Sequence, residues 1–435
     1  MHQLNTLILQ TIPQLTLLLL LVNSFGCTHS PLIANSQINQ SRMHDTVSRA
    51  SYASGLQVKQ PLSVTVVTRD ELHKMFLERD VAQRSEQWIL REAGYRTMGF
   101  SPEAGSDSYQ NANLLSRSVA GLYIPRKETL YVVSEPARSD SGAIYLSSLG
   151  HVGDELTLAH EVVHALQHQH FPEAFTEDSF WQQQADANTA LQAAIEGDAT
   201  FRSAQSIGLL GRPRDPDEVI ELARDSQFEP LSDAATLVRE RIQFPYTYGY
   251  RFAFHEGKSG LKSLPASTEQ IIHIETKGRS PFLAVDLSEV VRMAERTGCR
   301  VIFQDTMGEL LLSLWFRGLN PATEQTAWNG WDGDRWIVIQ CGESKELAWL
   351  TSWDTEQDAV DFESALRKVR IDWQQRANLP SKVEIDIKGN EVMVITDGLR
   401  PHLAEIVELA KRRRVSTRAE LAAHFGVITH GNADK

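Results

Sequence analysis

Ala159-His160-Glu161-Val162-Val163-His164-Ala165-Leu166-Gln167 is the stretch on which the fold and chemistry of this 435-residue chain turn. It lies in a helix predicted to open near Asp154 and to stop at Phe171-Pro172, because proline disfavours helical geometry in the residue before it. On that helix His160 and His164 are four residues apart, one turn above the other on one face, so two imidazole nitrogens can reach a single metal ion. Glu161 sits beside the first histidine. From there it can take a proton from water activated at the metal without entering the coordination sphere, which is the division of labour in the H-E-x-x-H pattern.

A catalytic zinc ion keeps three protein ligands and one open position, so a third ligand is required. His170 follows His164 by six residues, the spacing of an extended three-histidine motif, but Gln167 occupies the place of that motif's turning glycine. Without the turn the helix continues and carries His170 about 240° around the axis. His168 keeps the right face but lies about 6 Å further along, a rim position. Glu196, thirty-two residues beyond His164 in Ala194-Ile195-Glu196-Gly197-Asp198-Ala199, belongs to a second helical stretch expected from about Phe180 to Ile207. Two helices joined by so short a connection pack antiparallel, and Ala193, Gly197, Ala199 and Thr200 are small enough for close approach. Taken by itself, a glutamate on a polar helix more often faces solvent.

Val119-Ala120-Gly121-Leu122-Tyr123, the H-E-x-x-H helix, Glu196-Gly197-Asp198-Ala199-Thr200, Pro245-Tyr246 with Gly249, and Ser267-Thr268-Glu269-Gln270 followed by His273 occur in that order. Together they resemble a family of exported bacterial zinc peptidases of the gluzincin type, whose third ligand is a glutamate. The resemblance extends over roughly residues 68 to 370, since Gly330 to Arg335 and Trp353 to Phe362 also fit. It implies His160, His164 and Glu196 as zinc ligands, Glu161 as general base, a peptide or protein as substrate, and a zincin-like, mainly helical domain with a short N-terminal hairpin or sheet. Two positions depart from the pattern. Ile124 replaces an aspartate, and Ile274 follows His273 where a proline is expected.

Outward from this centre, the first 27 residues read as an export signal. Leu15 to Val22 is apolar but too short to cross a hydrocarbon core of roughly 30 Å. Ser24-Phe25-Gly26-Cys27 loosely resembles a lipobox, which makes Cys27 a candidate membrane tether and places the protein in the periplasm or cell envelope. Residues 28–60, rich in Ser, Asn and Gln, read as a flexible linker. A metallopeptidase domain is expected over 61–280, opening with a capping box at Thr68 to Glu71 and a helix to Gly94. Within it, 119–123 and 129–133 are expected to form a β-hairpin.

From 281 to 435 strand-like pieces (300–304, 336–340, 347–352, 383–394) alternate with helix-like ones (309–316, 356–369, 401–413), giving a smaller α+β domain with a helical tail and an α+β class overall. Cys299 and Cys341 can bridge in an oxidising compartment or remain two structural thiols. The formal charge of −13 argues against a nucleic-acid partner, and the basic run Lys411 to Arg414 is expected to close a helix. No oligomer is predicted. Gly330-Trp331-Asp332-Gly333-Asp334 lacks the distal glutamate of a calcium loop and reads as a tight turn.

Around the metal, Asp198 or Asp186 could accept a ligand histidine's second N–H, and Tyr246, Tyr248 or His273 could donate to an oxyanion. The rival from another class is a catalytically silent, lipid-tethered binding or assembly protein that keeps the metal-binding helix pair.

Overall fold

The computed structural model describes residues 33–34, 37–83, 86–100, 121–134, 151–176, 180–208, 215–225, 236–257, 260–379 and 381–427. The apolar leader, Cys27 and residues 119–120 lie outside them. Residues 1–45 and 46–435 are two separate compact units. In the first, Ile33–Ala34 and Gln37–Ile38 pair antiparallel; helix α1 (Gln40–Ser54) follows and runs across the boundary into the second. This helix falls within the segment expected to be a flexible linker. Polar composition concealed an element that buries Ala50 completely.

The second unit is α+β. Its first part runs β1 (Ser63–Val67), α2 (Arg69–Gln83), α3 (Glu86–Thr97), β2 (Gly121–Ile124) and β3 (Thr129–Val133), then α4 (His151–His170), α5 (Ala185–Ser206), α6 (Pro216–Asp225), α7 (Thr236–Glu256) and α8 (Thr268–Ile272). The capping box forms as expected: Glu71 N donates to Thr68 Oγ1 at 3.2 Å while Thr68 N donates to Glu71 Oε2 at 2.8 Å. The hairpin forms too, closed by a 3₁₀ turn over Pro125–Lys127 with Glu128 in the left-handed region at φ 48°. β1 then adds parallel to β3, giving the order β1-β3-β2 with β2 at an edge beside α4.

The second part runs β4 (Phe282–Asp286), α9 (Ser288–Arg296), β5 (Arg300–Asp305), α10 (Gly308–Leu319), β6 (Trp331–Cys341), β7 (Ser344–Trp353), α11 (Glu356–Ala377), β8 (Val383–Lys388), β9 (Glu391–Thr396), α12 (Leu403–Leu409), β10 (Lys411–Val415) and α13 (Arg418–His424). An antiparallel five-stranded sheet has the order β8-β9-β7-β6-β5. Its central strands alternate. Trp336, Val338, Leu347 and Trp349 enter a core with Trp315 and Phe362 from α10 and α11, whereas Ile337, Ile339, Ala348 and Leu350 pack on the opposite face with Val290 of α9 and Ile406 of α12. Cys299 and Cys341 are bonded to one another.

Three expectations for this part are corrected. The span 383–394 is two strands turning at Gly389, not one. Lys411 to Arg414 does not end a helix but forms β10, because its backbone pairs antiparallel with β4 and leaves the long cationic side chains at the rim. Gly330 to Asp334 is not a free turn. β6 begins at Trp331 with a bulge before Gly333, whose missing Cβ admits Leu283 O, 1.9 Å from where that atom would stand.

Residues on either side of position 280 belong to the same compact unit. Trp315 Nε1 donates to Met98 O, Trp373 Nε1 to Thr97 O, and Asp305 ties both Tyr95 Oη and Ala185 N to the sheet. Among the described residues no helix is long and apolar enough to cross a membrane.

Candidate metal centre

Helices α4 and α5 pack against one another, with Gln167 of α4 bonded to Ile195 O and Asp198 of α5. That closeness brings three donor atoms together. His160 Nε2 lies 2.9 Å from His164 Nε2, and Glu196 Oε2 lies 3.1 and 3.2 Å from the two nitrogens. The rings stand at right angles, so both nitrogens converge on one point rather than stack. Among the described residues this is the one group of three or more such side chains placed to hold a metal ion. Ligands about 2.0–2.1 Å from a tetrahedral zinc ion are about 3.3 Å apart, so the observed edges are slightly tighter than those of a loaded site and the donor set fits.

Charge favours a cation here. Burial pushes the Glu196 carboxyl up, but the two histidines outweigh it and hold it well below the usual carboxylate range. Burial pushes the His164 ring down, yet the Glu196 carboxylate raises it to about 9. A field that retains a proton on a buried imidazole will also attract a metal cation to the same atoms.

Glu161 lies beside this triangle. Tyr123 N, on edge strand β2, donates to its Oε2 at 2.6 Å, and burial raises its pKa against the pull of both histidines. A carboxylate so placed holds a proton more readily than one in water, as a general base must. A Cβ on Gly121 would stand 3.5 Å from Glu161 Cγ, an ordinary contact distance, so β2 lies directly against Glu161.

Tyr246 reaches the centre from α7, its ring centroid 6.3 Å from that of His160. The Glu196 charge, then burial and Glu161, raise its phenol well above the ordinary value. The approach depends on a backbone crossing: a Cβ on Gly197 would stand 2.0 Å from Gly249 C and O, and Gly249 is one turn beyond Tyr246.

The other candidates fall elsewhere. Asp198 does not touch a histidine; it accepts from Gln167 Nε2 at 2.9 Å and from Arg202 Nε at 3.1 Å. His273 pairs with both oxygens of Glu309 at 2.9 Å, and Tyr248 stacks on Phe244. Asp186 accepts from Thr268. His168 meets the Tyr123 hydroxyl at 2.8 Å, while His170 points to Gln57 O, so neither joins the triangle. Sequence reasoning missed Gln167, which touches His164 Nδ1 at 2.9 Å. Its spacing of three from His164 was a usable signal.

A family described as a domain of unknown function (DUF8575) matches residues 296–408. This span covers the five-stranded sheet with α10 and α11 and includes none of the metal-centre residues. No curated protein and no solved structure matches the chain.

Proposed function

We propose that this protein is an exported, zincin-like peptidase that hydrolyses peptide bonds at a zinc ion held by His160, His164 and Glu196. The observation that carries the proposal is the convergence of those three donor atoms within 3.2 Å of one another beside Glu161. When bound, zinc supplies Lewis acidity, polarising a carbonyl and acidifying water. Glu161 accepts the proton of the attacking water and returns it to the leaving amine. Tyr246, whose hydroxyl bonds Glu196, would be the hydroxyl donor to the negative charge that develops on the carbonyl oxygen.

Peptide as the substrate class is supported by the edge position of β2 beside Glu161, because an extended peptide can add to a sheet edge; Tyr123 N–H itself is taken by Glu161. Cys27 would tether the mature chain to a membrane, with no nucleic acid among its partners.

Unfolded casein is a suitable probe. Glu161→Gln should retain about one equivalent of zinc and lose at least about 10³-fold in cleavage rate. Glu196→Ala should lose the zinc. Casein turnover persisting in Glu161→Gln would exclude the mechanism, and unaltered zinc content in Glu196→Ala would exclude the ligand set.

A further inference from the structure

Gln167 is completely buried three residues beyond His164, and each of its polar atoms faces a named partner. Its Nε2 donates to Ile195 O at 3.1 Å and to Asp198 Oδ2 at 2.9 Å. Both of those atoms can only accept, so the amide can face them in one orientation, NH₂ towards α5 and Oε1 towards His164. Oε1 lies 2.9 Å from His164 Nδ1, and since it too can only accept, Nδ1 must carry the hydrogen. A neutral imidazole with hydrogen on Nδ1 has its lone pair on Nε2, the atom that faces His160 and Glu196.

The orientation is held from further out. Asp198 Oδ1 accepts from Arg202 Nε at 3.1 Å. Arg202 is 4% exposed and also donates from Nη1 to Gln205 Oε1 at 3.1 Å and from Nη2 to Gly257 O at 2.7 Å. With its guanidinium fixed at both ends, Arg202 holds the Asp198 carboxylate where it dictates the Gln167 flip.

We infer that Gln167, oriented by Asp198 and Arg202, is a positioning residue that locks His164 in the tautomer presenting Nε2 to the metal. The relay rests on the zinc reading of His160, His164 and Glu196 and deepens it. It also accounts for glutamine in the place where the three-histidine pattern has a turning glycine: the helix continues here, and the side chain on its next turn supports the second ligand.

Binding of Co²⁺ and Zn²⁺ to the chelator-treated full chain tests this, with the visible spectrum of the cobalt form as a readout of ligand geometry. Gln167→Met keeps the volume and removes the acceptor, so Kd for either metal should rise by about 10–100-fold and the cobalt bands should shift. Asp198→Asn keeps the packing and alters one of the two acceptors that fix the amide while Ile195 O remains, so it should weaken binding in the same direction by less. It remains informative if Gln167→Met does not fold. Wild-type affinity and an unaltered cobalt spectrum in both single variants would overturn the relay while leaving the zinc site standing. A wild-type chain that binds neither metal would overturn the zinc reading itself.

Discussion

Glu196 in the helical part and Asp334 in the sheet are both carboxylates drawn out of bulk water, yet their surroundings are opposite in kind. Asp334, 2% exposed, receives four N–H donors: Met307 N at 2.9 Å, and Gly308 N, Trp331 Nε1 and Trp349 Nε1 each at 3.0 Å. Every lone pair it can offer is taken by a donor that cannot leave. The Glu196 side chain is 20% exposed, and besides the Tyr246 hydroxyl its near neighbours are two imidazole nitrogens, groups that can give a lone pair as well as a hydrogen. The first arrangement closes a fold. The second can exchange its partners for an ion, and on that difference rests the assignment of one acid to structure and the other to chemistry.

The largest expected effect would come from forcing the structural acid to fail. Asp334→Leu leaves four buried donors without an acceptor, at about 1–3 kcal/mol each, so a loss of at least about 4 kcal/mol is expected in urea unfolding. Zinc content of the folded fraction should not change. A destabilisation under about 1 kcal/mol, or a loss of zinc with the fold intact, would break the contrast between the two acids.

Much of both regions was legible in the sequence, for local reasons. The i, i+4 histidines, the hairpin around Pro125-Arg126-Lys127 and the Thr68 capping box depend on contacts within a few residues, and each forms in the structure. The four donors to Asp334 come from three separated segments, so Gly330 to Asp334 read only as a turn. The spacing of Gln167 from His164 was legible, but not the orientation of its amide, because Asp198 and Ile195 O sit on another helix. Lys411 to Arg414 read as a helix end since charge pattern alone cannot reveal a partner strand 125 or more residues earlier. Glu196 was a candidate by motif, and the meeting of α4 with α5 is what brings it to the histidines.

Asp186 stands between the two kinds of acid, and its titration sharpens the comparison at the next level of effect. Thr268 N and Oγ1 both donate to its Oδ1, at 3.0 and 2.5 Å, whereas its buried Oδ2 has no partner. Burial outweighs those bonds and raises its pKa from 3.8 to about 7. Folded protein therefore holds a proton between pH 4 and 7 that unfolded chain has lost. The stability contributed by this group is complete below about pH 4 and disappears as pH rises through 7. Asp186→Asn removes the titration and keeps the acceptor for Thr268. Relative to wild type, its unfolding free energy should rise by roughly 3 kcal/mol between pH 5 and pH 8. A difference in urea midpoint that is the same at both pH values would show Asp186 to be as fully satisfied as Asp334.

The smallest effect should come from the crossing of α5 and α7. A Cβ on Gly249 would stand 2.2 Å from Ala193 O, so Gly249→Ala must push the helices apart by part of an ångström. Overpacking of this size costs about 1–3 kcal/mol. If the crossing only fills space, the loss will appear in unfolding alone. Glu196, however, is adjacent to Gly197 at this contact and Tyr246 is one turn from Gly249, so a displaced α7 should also change the field at the metal centre. The substitution is expected to weaken zinc binding severalfold while Asp334→Leu leaves it unchanged. Equal zinc affinity in wild type and Gly249→Ala would confine the crossing to a packing role and leave the positioning of Glu196 to α4 alone.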